Sequence, residues 1–198
     1  MIIDKYKTIL THSEGFFKDK GSKFFAHAFP VSCEKEIDEI RAELRKNYFD
    51  ARHHVYAFML GENSTIYRAS DDGEPSNSSG LPVLGQIRSN ELTNILIVVI
   101  RYFGGTKLGI PGLINAYKTA AAEAIKNSEI ITKTILLQLT VIFEYPMMNV
   151  VMRIAKDENL EIISQKLETS CSITYGVPKS KFDHIFQRFN EIHGIKII

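Results

Sequence analysis

The sequence predicts an α+β protein made of two domains. Within residues 1–130, segments with the composition of strands alternate with segments whose apolar residues recur at helical spacing. Residues 131–198 then follow the order β-α-β-β-α-β, which is the ferredoxin-like or split βαβ arrangement. A chain of 198 residues can hold either one domain or two small ones. We therefore predict an N-terminal domain over residues 1–130 and a ferredoxin-like C-terminal domain over residues 131–198.

The first predicted elements are a strand, a helix and a pair of strands. Residues 23–31 mix aromatic and β-branched side chains, which is typical of a strand. Ser32 offers an N-cap for a helix over residues 33–47, where apolar side chains recur at helical spacing. Residues 54–60 and 64–70 are predicted strands, because a hairpin-sized turn separates them.

The middle of the chain begins with a loop and ends with a helix. Residues 71–82 are rich in Asp, Gly, Pro and Ser, so they form a loop before a short helix over residues 81–90. Residues 94–103 are apolar without alternation, which predicts a strand buried on both faces. A helix over residues 113–127 follows, and its alanines let it pack close to the sheet. Its predicted apolar face consists of Leu113, Tyr117, Ala120, Ala121 and Ala124.

The pattern restarts after Ser128 and supplies the C-terminal domain. The predicted strands cover residues 134–143, 160–168, 170–178 and 195–198. Pro146 suits the first turn of one helix, and Ser180 can cap the other. The predicted inward side chains of the first helix are Met147, Val150, Val151 and Ile154, and those of the second are Phe182, Ile185, Phe186, Phe189 and Ile192.

The charge balance excludes a strongly basic domain. The chain has 24 Lys and Arg against 23 Asp and Glu, a formal net charge of +1. A nucleic-acid contact therefore has to come from a local patch, which counts against tight nonspecific DNA binding.

The sequence features that report on compartment indicate the cytoplasm. Cys33 and Cys171 form no paired metal or redox motif, so free thiols in a reducing compartment are expected. The N-terminal residues have no apolar signal-peptide segment, and residues 95–100, the longest aliphatic run, are too short to cross a bilayer. We expect a cytoplasmic protein without a membrane partner.

The sequence RYFGGTKLGIPGLINAY, residues 101–117, contains a candidate anion site. Gly104 and Gly105 permit close approach of a ligand, Lys107 adds a cation, and a helix N-terminus follows. The sequence matches neither the P-loop nor the GxGxxG pattern, and Pro111 lacks an N–H donor. The alternative is that the glycines only shape a connection between strand and helix.

Asp71, Asp72 and Glu74 form a dense acidic cluster in SDDGEP. Such carboxylates suit a hard metal or a general base, but Asp and Gly are also common turn residues. A third possibility is that Asp71 or Asp72 pairs with Arg101 or Lys107 and fixes the two loops together.

The stretch ARHHVYAF places His53 and His54 next to each other at the start of a strand, after Arg52. Neighbours in a strand face opposite sides, so a surface contact near Arg52 is favoured over a metal site. Tyr102 and Phe103 suit either stacking on a base or sealing the core. No nucleophile motif is present, so we predict no catalytic residue, no cofactor and no metal.

Three blocks of the sequence resemble the IMPACT family and its bacterial YigZ-like branch: RHHVYAF, DDGEPSNSSGLPVL and VVIRYFGGTKLGIPGLINAYKTAAAEAI. The resemblance covers residues from about 13 to 129. It implies a two-layer N-terminal domain like the second domain of the fifth small-subunit ribosomal protein. Residues 131–198 resemble the ferredoxin-like domain of the bacterial branch. The resemblance also implies translation regulation, since eukaryotic members bind a ribosome-associated activator of a stress kinase.

The family pattern falls on named positions of this sequence and departs from it at two. The matching positions are Arg52, His53, His54, Asp71, Asp72, Gly73, Glu74, Pro75, Arg101, Tyr102, Gly104, Gly105, Lys107, Leu108 and Gly109. Residues 76–80, Ser-Asn-Ser-Ser-Gly, stand where the family usually has Gly-Thr-Ala-Gly. Asn115 stands where the family usually has arginine, which removes a fixed charge near the helix start.

The preferred hypothesis is a non-enzymatic, translation-associated regulator that binds RNA, the ribosome or a ribosome-bound partner. One alternative is a metal-dependent hydrolase that uses Asp71, Asp72 and Glu74, and another is a protein–protein interaction module. The sequence does not predict an oligomeric state. The predicted anion- or nucleic-acid-binding residues are Arg52, His53, His54, Arg101, Tyr102, Gly104, Gly105 and Lys107.

Overall fold

The computed structural model describes residues 4–198, which divide into two compact units. The first unit comprises Tyr6–Lys133, and the second comprises Thr134–Ile198 together with residues 4 and 5. Each unit contains a mixture of helices and strands with its own hydrophobic core. The predicted α+β fold class is confirmed.

The first unit is built mainly on one five-stranded sheet. The first seven strands in chain order are β1 (Lys5–Ile9), β2 (Ser13–Asp19), β3 (Ser22–Pro30), β4 (His53–Leu60), β5 (Ile66–Ser70), β6 (Ile95–Tyr102) and β7 (Ile130–Thr134). The helices are α1 (Glu34–Asn47), α2 (Gly80–Ser89) and α3 (Gly109–Lys126). The five-stranded sheet has the order β2-β3-β6-β4-β5 with antiparallel neighbours, and β1 pairs with β7 in a sheet of two strands.

Both faces of the five-stranded sheet are covered by helices. In the central strand β6, Ile95, Ile97 and Val99 pack with α2 and α3, while the alternate residues pack with α1. This alternation explains why the strand is apolar throughout, as the sequence predicted. The unit therefore has three layers rather than the expected two, because α1 buries Ile37 and Leu44 against the second face.

Small residues bring α3 close to the edge of the sheet. The predicted apolar face of α3 is buried, and its alanines face β2. At Gly15 of β2, an added Cβ would lie 2.3 Å from the Ala124 amide nitrogen, so only glycine fits there. The helix begins at Gly109, four residues before the predicted start, with Pro111 in its first turn, where the missing N–H costs nothing.

The second unit has the predicted ferredoxin-like topology. Its strands are β8 (Leu136–Glu144), β9 (Glu161–Lys166), β10 (Ser170–Pro178) and β11 (Ile195–Ile197), and its helices are α4 (Met148–Asp157) and α5 (Phe182–Asn190). The strand order is β11-β8-β10-β9, with antiparallel neighbours throughout. A short 3₁₀ turn precedes each helix, at Tyr145–Met147 and at Lys179–Lys181.

Three details of the second unit differ from the predictions. Val150 is 42% exposed, because the buried stripe of α4 runs instead through Val151, Ile154 and Ala155. The Ser180 hydroxyl and amide both donate to the Asp4 carboxylate, so Ser180 does not cap α5. The single strand predicted over residues 134–143 begins at Leu136, and residue 134 belongs to β7.

Within residues 4–198, no helix is both long enough and apolar enough to cross a membrane.

Candidate functional site

The pairing of β4 with β6 builds a cleft at one end of the central sheet. His53, at the start of β4, lies opposite Arg101 near the end of β6. The residues around this pair enclose a cleft of about 380 Å³. Its lining residues are Asp50, Ala51, Arg52, His53, Arg101, Tyr102 and Phe103.

A buried ion pair holds Arg101, one of the residues that line the cleft. Arg101 Nη1 donates a 2.6 Å hydrogen bond to Glu74 Oε1, and the two side chains are 8% and 3% exposed. The same Glu74 oxygen accepts a 2.7 Å hydrogen bond from the Tyr117 hydroxyl of α3. Burial and the Glu74 charge raise the pKa of Tyr117, so its hydroxyl remains a donor. Breaking such a pair would leave a buried charge without a partner.

Asp71 organises the loop that leads into α2. Its carboxylate accepts hydrogen bonds from the amides of Asn77, Ser79 and Gly80 and from the Ser79 hydroxyl. These donors include the first amides of α2, which have no partner inside the helix. Burial raises the pKa of Asp71, but the hydrogen bonds from Ser79, Gly80 and Asn77 outweigh it and bring the pKa below its ordinary value.

Asp72 joins the same loop to α1 and β4. Its carboxylate accepts a 2.6 Å hydrogen bond from Arg45 and a 2.7 Å hydrogen bond from the His54 amide. Its backbone carbonyl lies 2.9 Å from His53 Nδ1. Asp72 and Gly73 both have positive φ, at 43° and 88°, and this turn brings the carboxylate and the carbonyl to the same strand.

Aromatic side chains form the rim of the cleft. The Tyr102 hydroxyl donates a 2.6 Å hydrogen bond to Asp50, which with burial raises the pKa of Tyr102 to about 12. Phe103 follows it and is 58% exposed. Both residues also line a second cleft of about 420 Å³. The lining residues of the second cleft are Gly21, Lys23, Phe25, Tyr48, Tyr102 and Phe103.

The glycine loop after β6 is anchored at its first residue and open beyond it. The Gly104 amide donates to Ser22 Oγ at 3.1 Å, and an added Cβ on Gly104 would lie 1.9 Å from the Gly21 backbone. Gly105 has φ +87° and open space around it. Within residues 4–198, the amides of residues 105–108 have no hydrogen-bond acceptor. Helix α3 follows without a side-chain cap and without an acid in its first turn.

Three exposed cations accompany these features. Arg52 and Lys23 line the two clefts, and Lys107 lies in the glycine loop. In the part of the chain that the structure describes, none of the three has a carboxylate within ion-pair distance. Among the described residues, the clefts and the loop therefore present aromatic faces, free amides and three unpaired cations together, beside the single carboxylate of Asp50. This combination suits a phosphate-bearing ligand with flat rings.

Comparison with known proteins identifies the family. A family model described as the Impact N-terminal domain matches residues 20–125, more than half of the chain. This chain belongs to the IMPACT family. It is 30% identical over 175 residues to the IMPACT family member YigZ of Escherichia coli K12, covering 87% of this chain and 84% of YigZ. The YigZ-like identification is confirmed.

Further relatives and one solved structure agree with this assignment. The IMPACT family member YvyE of Bacillus subtilis is 34% identical over 135 residues, which cover 68% of this chain and 62% of YvyE. The match thus spans less than two thirds of that relative. A crystal structure of a hypothetical protein superposes with a TM-score of 0.75 at 23% identity, covering 100% of this chain and 98% of the other. That similarity supports the fold.

Several positions of the IMPACT pattern lie together around the cleft, although their binding role stays a prediction. Arg52, His53, Arg101 and Tyr102 line it, and the glycine loop continues from its rim. His54 is 5% exposed and is absent from the cleft lining, so it does not offer a surface contact. The guanidinium of Arg101 already binds Glu74.

The acidic cluster of this IMPACT chain is not arranged as a metal-binding group. Among the described residues, Asp71, Asp72 and Glu74 do not bring their oxygens within 4.8 Å of one another as a metal-binding group. Each carboxylate instead binds groups of the protein. Glu74, rather than Asp71 or Asp72, forms the pair with Arg101 that links the two loops.

Sequence analysis missed two contributors to this site. Tyr117 was predicted only as a core residue, but its hydroxyl binds Glu74. Lys23 and the second cleft were also missed, because the strands that meet there are far apart in sequence. The sequence did contain one indication of the Tyr117 contact. A tyrosine on an apolar helix face is buried, and a buried hydroxyl needs a hydrogen-bond partner.

Proposed function

We propose that this chain is a translation-associated regulator that binds single-stranded segments of ribosomal RNA. The rim formed by Phe103 and the glycine loop makes this contact. The family resemblance supports the translational context, because it implies that role for eukaryotic members. The observation that carries the RNA hypothesis is the position of Phe103, 58% exposed and shared by both clefts. An exposed aromatic ring beside cations is the usual platform for a nucleobase and its phosphate.

Different groups of the rim suit the bases of RNA and its phosphate backbone. Phe103 and Tyr102 offer ring faces, and stacking on one ring contributes about 1–3 kcal/mol per base. Lys107, Arg52 and Lys23 are the cations available for phosphates, together with the open amides of the glycine loop. Because Arg101 is neutralised by Glu74, it supports the rim and does not bind the ligand. Asn115 in place of the usual arginine reduces the positive charge, which predicts moderate affinity.

The direct test is binding of fluorescently labelled single-stranded RNA, followed by anisotropy, and co-sedimentation with purified ribosomes. Phe103→Ala should weaken RNA binding about 5- to 160-fold, corresponding to one lost stack of about 1–3 kcal/mol. Lys107→Glu should also weaken it, because it replaces an attraction with a repulsion. Tyr145→Ala removes an exposed ring from the second unit, and Lys118→Glu makes the same charge change on an exposed site of α3. Both control variants should bind like the unsubstituted protein.

The outcomes separate RNA binding from the alternatives. Equal affinity for all variants, or no RNA binding and no co-sedimentation, overturns the proposal. Capture of a ribosomal protein partner that persists after nuclease treatment and is lost in Phe103→Ala supports the interaction-module hypothesis instead.

A further inference from the structure

Two histidines and a glutamate converge at the edge of the five-stranded sheet, on the face covered by α1. Glu14 in β2 lies directly opposite His27 in β3. His12 lies two positions before Glu14, so along an extended chain its side chain points to the same face. His27 pairs in register with Val98, whose side chain packs toward α1. The topology therefore places all three side chains on one surface.

The three ligand atoms are spaced like those of a metal centre. His27 Nδ1 lies 3.2 Å from His12 Nε2 and 3.4 Å from Glu14 Oε1. Glu14 Oε1 and His12 Nε2 are 3.9 Å apart. Around a tetrahedral zinc ion with ligands at 2.0–2.2 Å, neighbouring ligand atoms lie about 3.3–3.6 Å apart. In the part of the chain that the structure describes, this is the only group of three potential ligands that converges within 4.8 Å.

The surroundings hold the two imidazoles in place. The His27 side chain is 6% exposed, so its rotation is restricted by packing. The His12 ring stacks on Phe29 with centroids 4.2 Å apart.

A cleft of about 280 Å³ opens over these ligands. His12, Glu14 and His27 contribute to its wall, and Glu43 and Tyr48 line the side formed by α1 and its end. The fourth position around an ion would face this cleft, which leaves room for a water molecule. Three protein ligands with one open position are typical of accessible zinc sites.

We propose that His12, Glu14 and His27 bind a divalent first-row transition metal ion, with zinc as the ion to test first. Two imidazoles and one carboxylate form a donor set that suits zinc and disfavours magnesium or calcium, which take oxygen ligands. The sequence predicted no metal, and the proposed site lies apart from the histidine pair considered there. The proposal does not depend on RNA binding.

The test is calorimetric titration of untagged, metal-stripped protein with zinc chloride. The protein carries Cys33→Ser, because an exposed thiol binds zinc by itself. We expect one zinc per chain, and His12→Ala and Glu14→Gln should each weaken binding by at least about 10-fold. His193→Ala removes an exposed histidine from the second unit and should leave the affinity unchanged.

A second measurement distinguishes a metal centre from a hydrogen-bonded histidine pair. Cobalt bound to this donor set should show the strong visible absorption of a four- or five-coordinate ion, and His12→Ala should remove it. Circular dichroism of each variant establishes that the fold is retained. The absence of zinc binding, or zinc binding that neither His12→Ala nor Glu14→Gln weakens, overturns the proposal.

Discussion

The carboxylate of Glu74 and the guanidinium of Arg101 form a 2.6 Å ion pair beneath the candidate cleft. Glu74 comes from the loop after β5, and Arg101 comes from the end of β6. The pair therefore closes the acidic loop against the strand that carries the cleft rim. It also gives two prominent charges of the IMPACT pattern a structural role, because each neutralises the other.

Replacing Glu74 should destabilise the first unit strongly. Glu74→Gln keeps the shape of the side chain but leaves Arg101 buried without its counter-charge. We expect a loss of about 3–5 kcal/mol in the free energy of unfolding. Urea denaturation followed by circular dichroism measures it. Glu62→Gln, at an exposed site, should change stability by less than about 0.5 kcal/mol. Similar stability of the two variants would contradict the structural role of the pair.

Asp71 should contribute stability that depends on pH. Its pKa in the folded protein lies below the ordinary value, so the ionised form favours folding. This contribution is fully present above the unfolded pKa of about 3.9 and is lost as the pH falls through the folded pKa. Asp71→Asn should therefore cost about 1–3 kcal/mol at neutral pH. The difference in the free energy of unfolding between this variant and the unsubstituted protein should shrink in strong acid. A difference that stays constant with pH would refute the proposed role of the ionised Asp71.

Two glycine-to-alanine substitutions should have opposite effects. At Gly15 the new methyl group would lie 2.3 Å from Ala124 of α3, so we expect Gly15→Ala to cost at least about 1–3 kcal/mol. At Gly85, inside α2, nothing lies within 4 Å of the new methyl group. Gly85→Ala should therefore raise stability by about 0.5–1 kcal/mol through helix propensity. Thermal unfolding of both variants measures the contrast, and equal shifts would contradict it.

Periodicity predicted the helices and the buried strands well, but it missed the N-terminal strands. β2, with the sequence SEGFFKD, has a glycine and three charges within seven residues, so its local composition does not favour a strand. It forms because β3 supplies the backbone partners and α3 covers Gly15. The missed strand concealed the alignment of His12 and Glu14 with His27.

The sequence patterns drew attention to the residues of the candidate site but not to the contacts between them. Sequence patterns identified the acidic loop and the glycine loop, since Gly and Asp favour turns. They could not show that Glu74 reaches Arg101 across 27 residues of chain, because no short-range spacing encodes that contact. Similarly, no local pattern indicates that the Asp71 carboxylate accepts a hydrogen bond from the amide of Ser79, eight residues later, at the start of α2.

The salt dependence of RNA binding should report how many phosphates the rim contacts. Each phosphate neutralised on a single strand contributes about 0.7 to the slope of log affinity against log salt. Arg52→Ala should therefore lower the slope by about that amount if Arg52 binds one phosphate. Phe103→Ala should reduce affinity while leaving the slope unchanged, because stacking releases no counterions. Identical slopes for Arg52→Ala and the unsubstituted protein would show that Arg52 does not contact the backbone.

His54 should make the first unit less stable in mild acid. Burial and the nearby Arg45 charge lower its pKa, despite the opposing effect of the Asp72 carboxylate. Within the described residues, neither of its ring nitrogens has a hydrogen-bond partner. Because the folded pKa lies below the unfolded value of about 6.5, the unfolded state binds more protons, and stability falls as the pH drops below that value.

An apolar replacement of His54 should therefore relieve a cost that grows in acid. His54→Leu should be as stable as the unsubstituted protein or more stable by about 1 kcal/mol at neutral pH, since it removes unpartnered buried nitrogens. The stability of His54→Leu relative to the unsubstituted protein should increase further at about pH 5.5. At that pH the unsubstituted protein loses stability because the His54 imidazole is protonated more readily in the unfolded state, and the variant has no such group. Urea denaturation at both pH values measures the difference. His27 is present in both proteins, so its own pH effect cancels. A variant that loses equal stability at both pH values would show that His54 makes a favourable contact in the folded state.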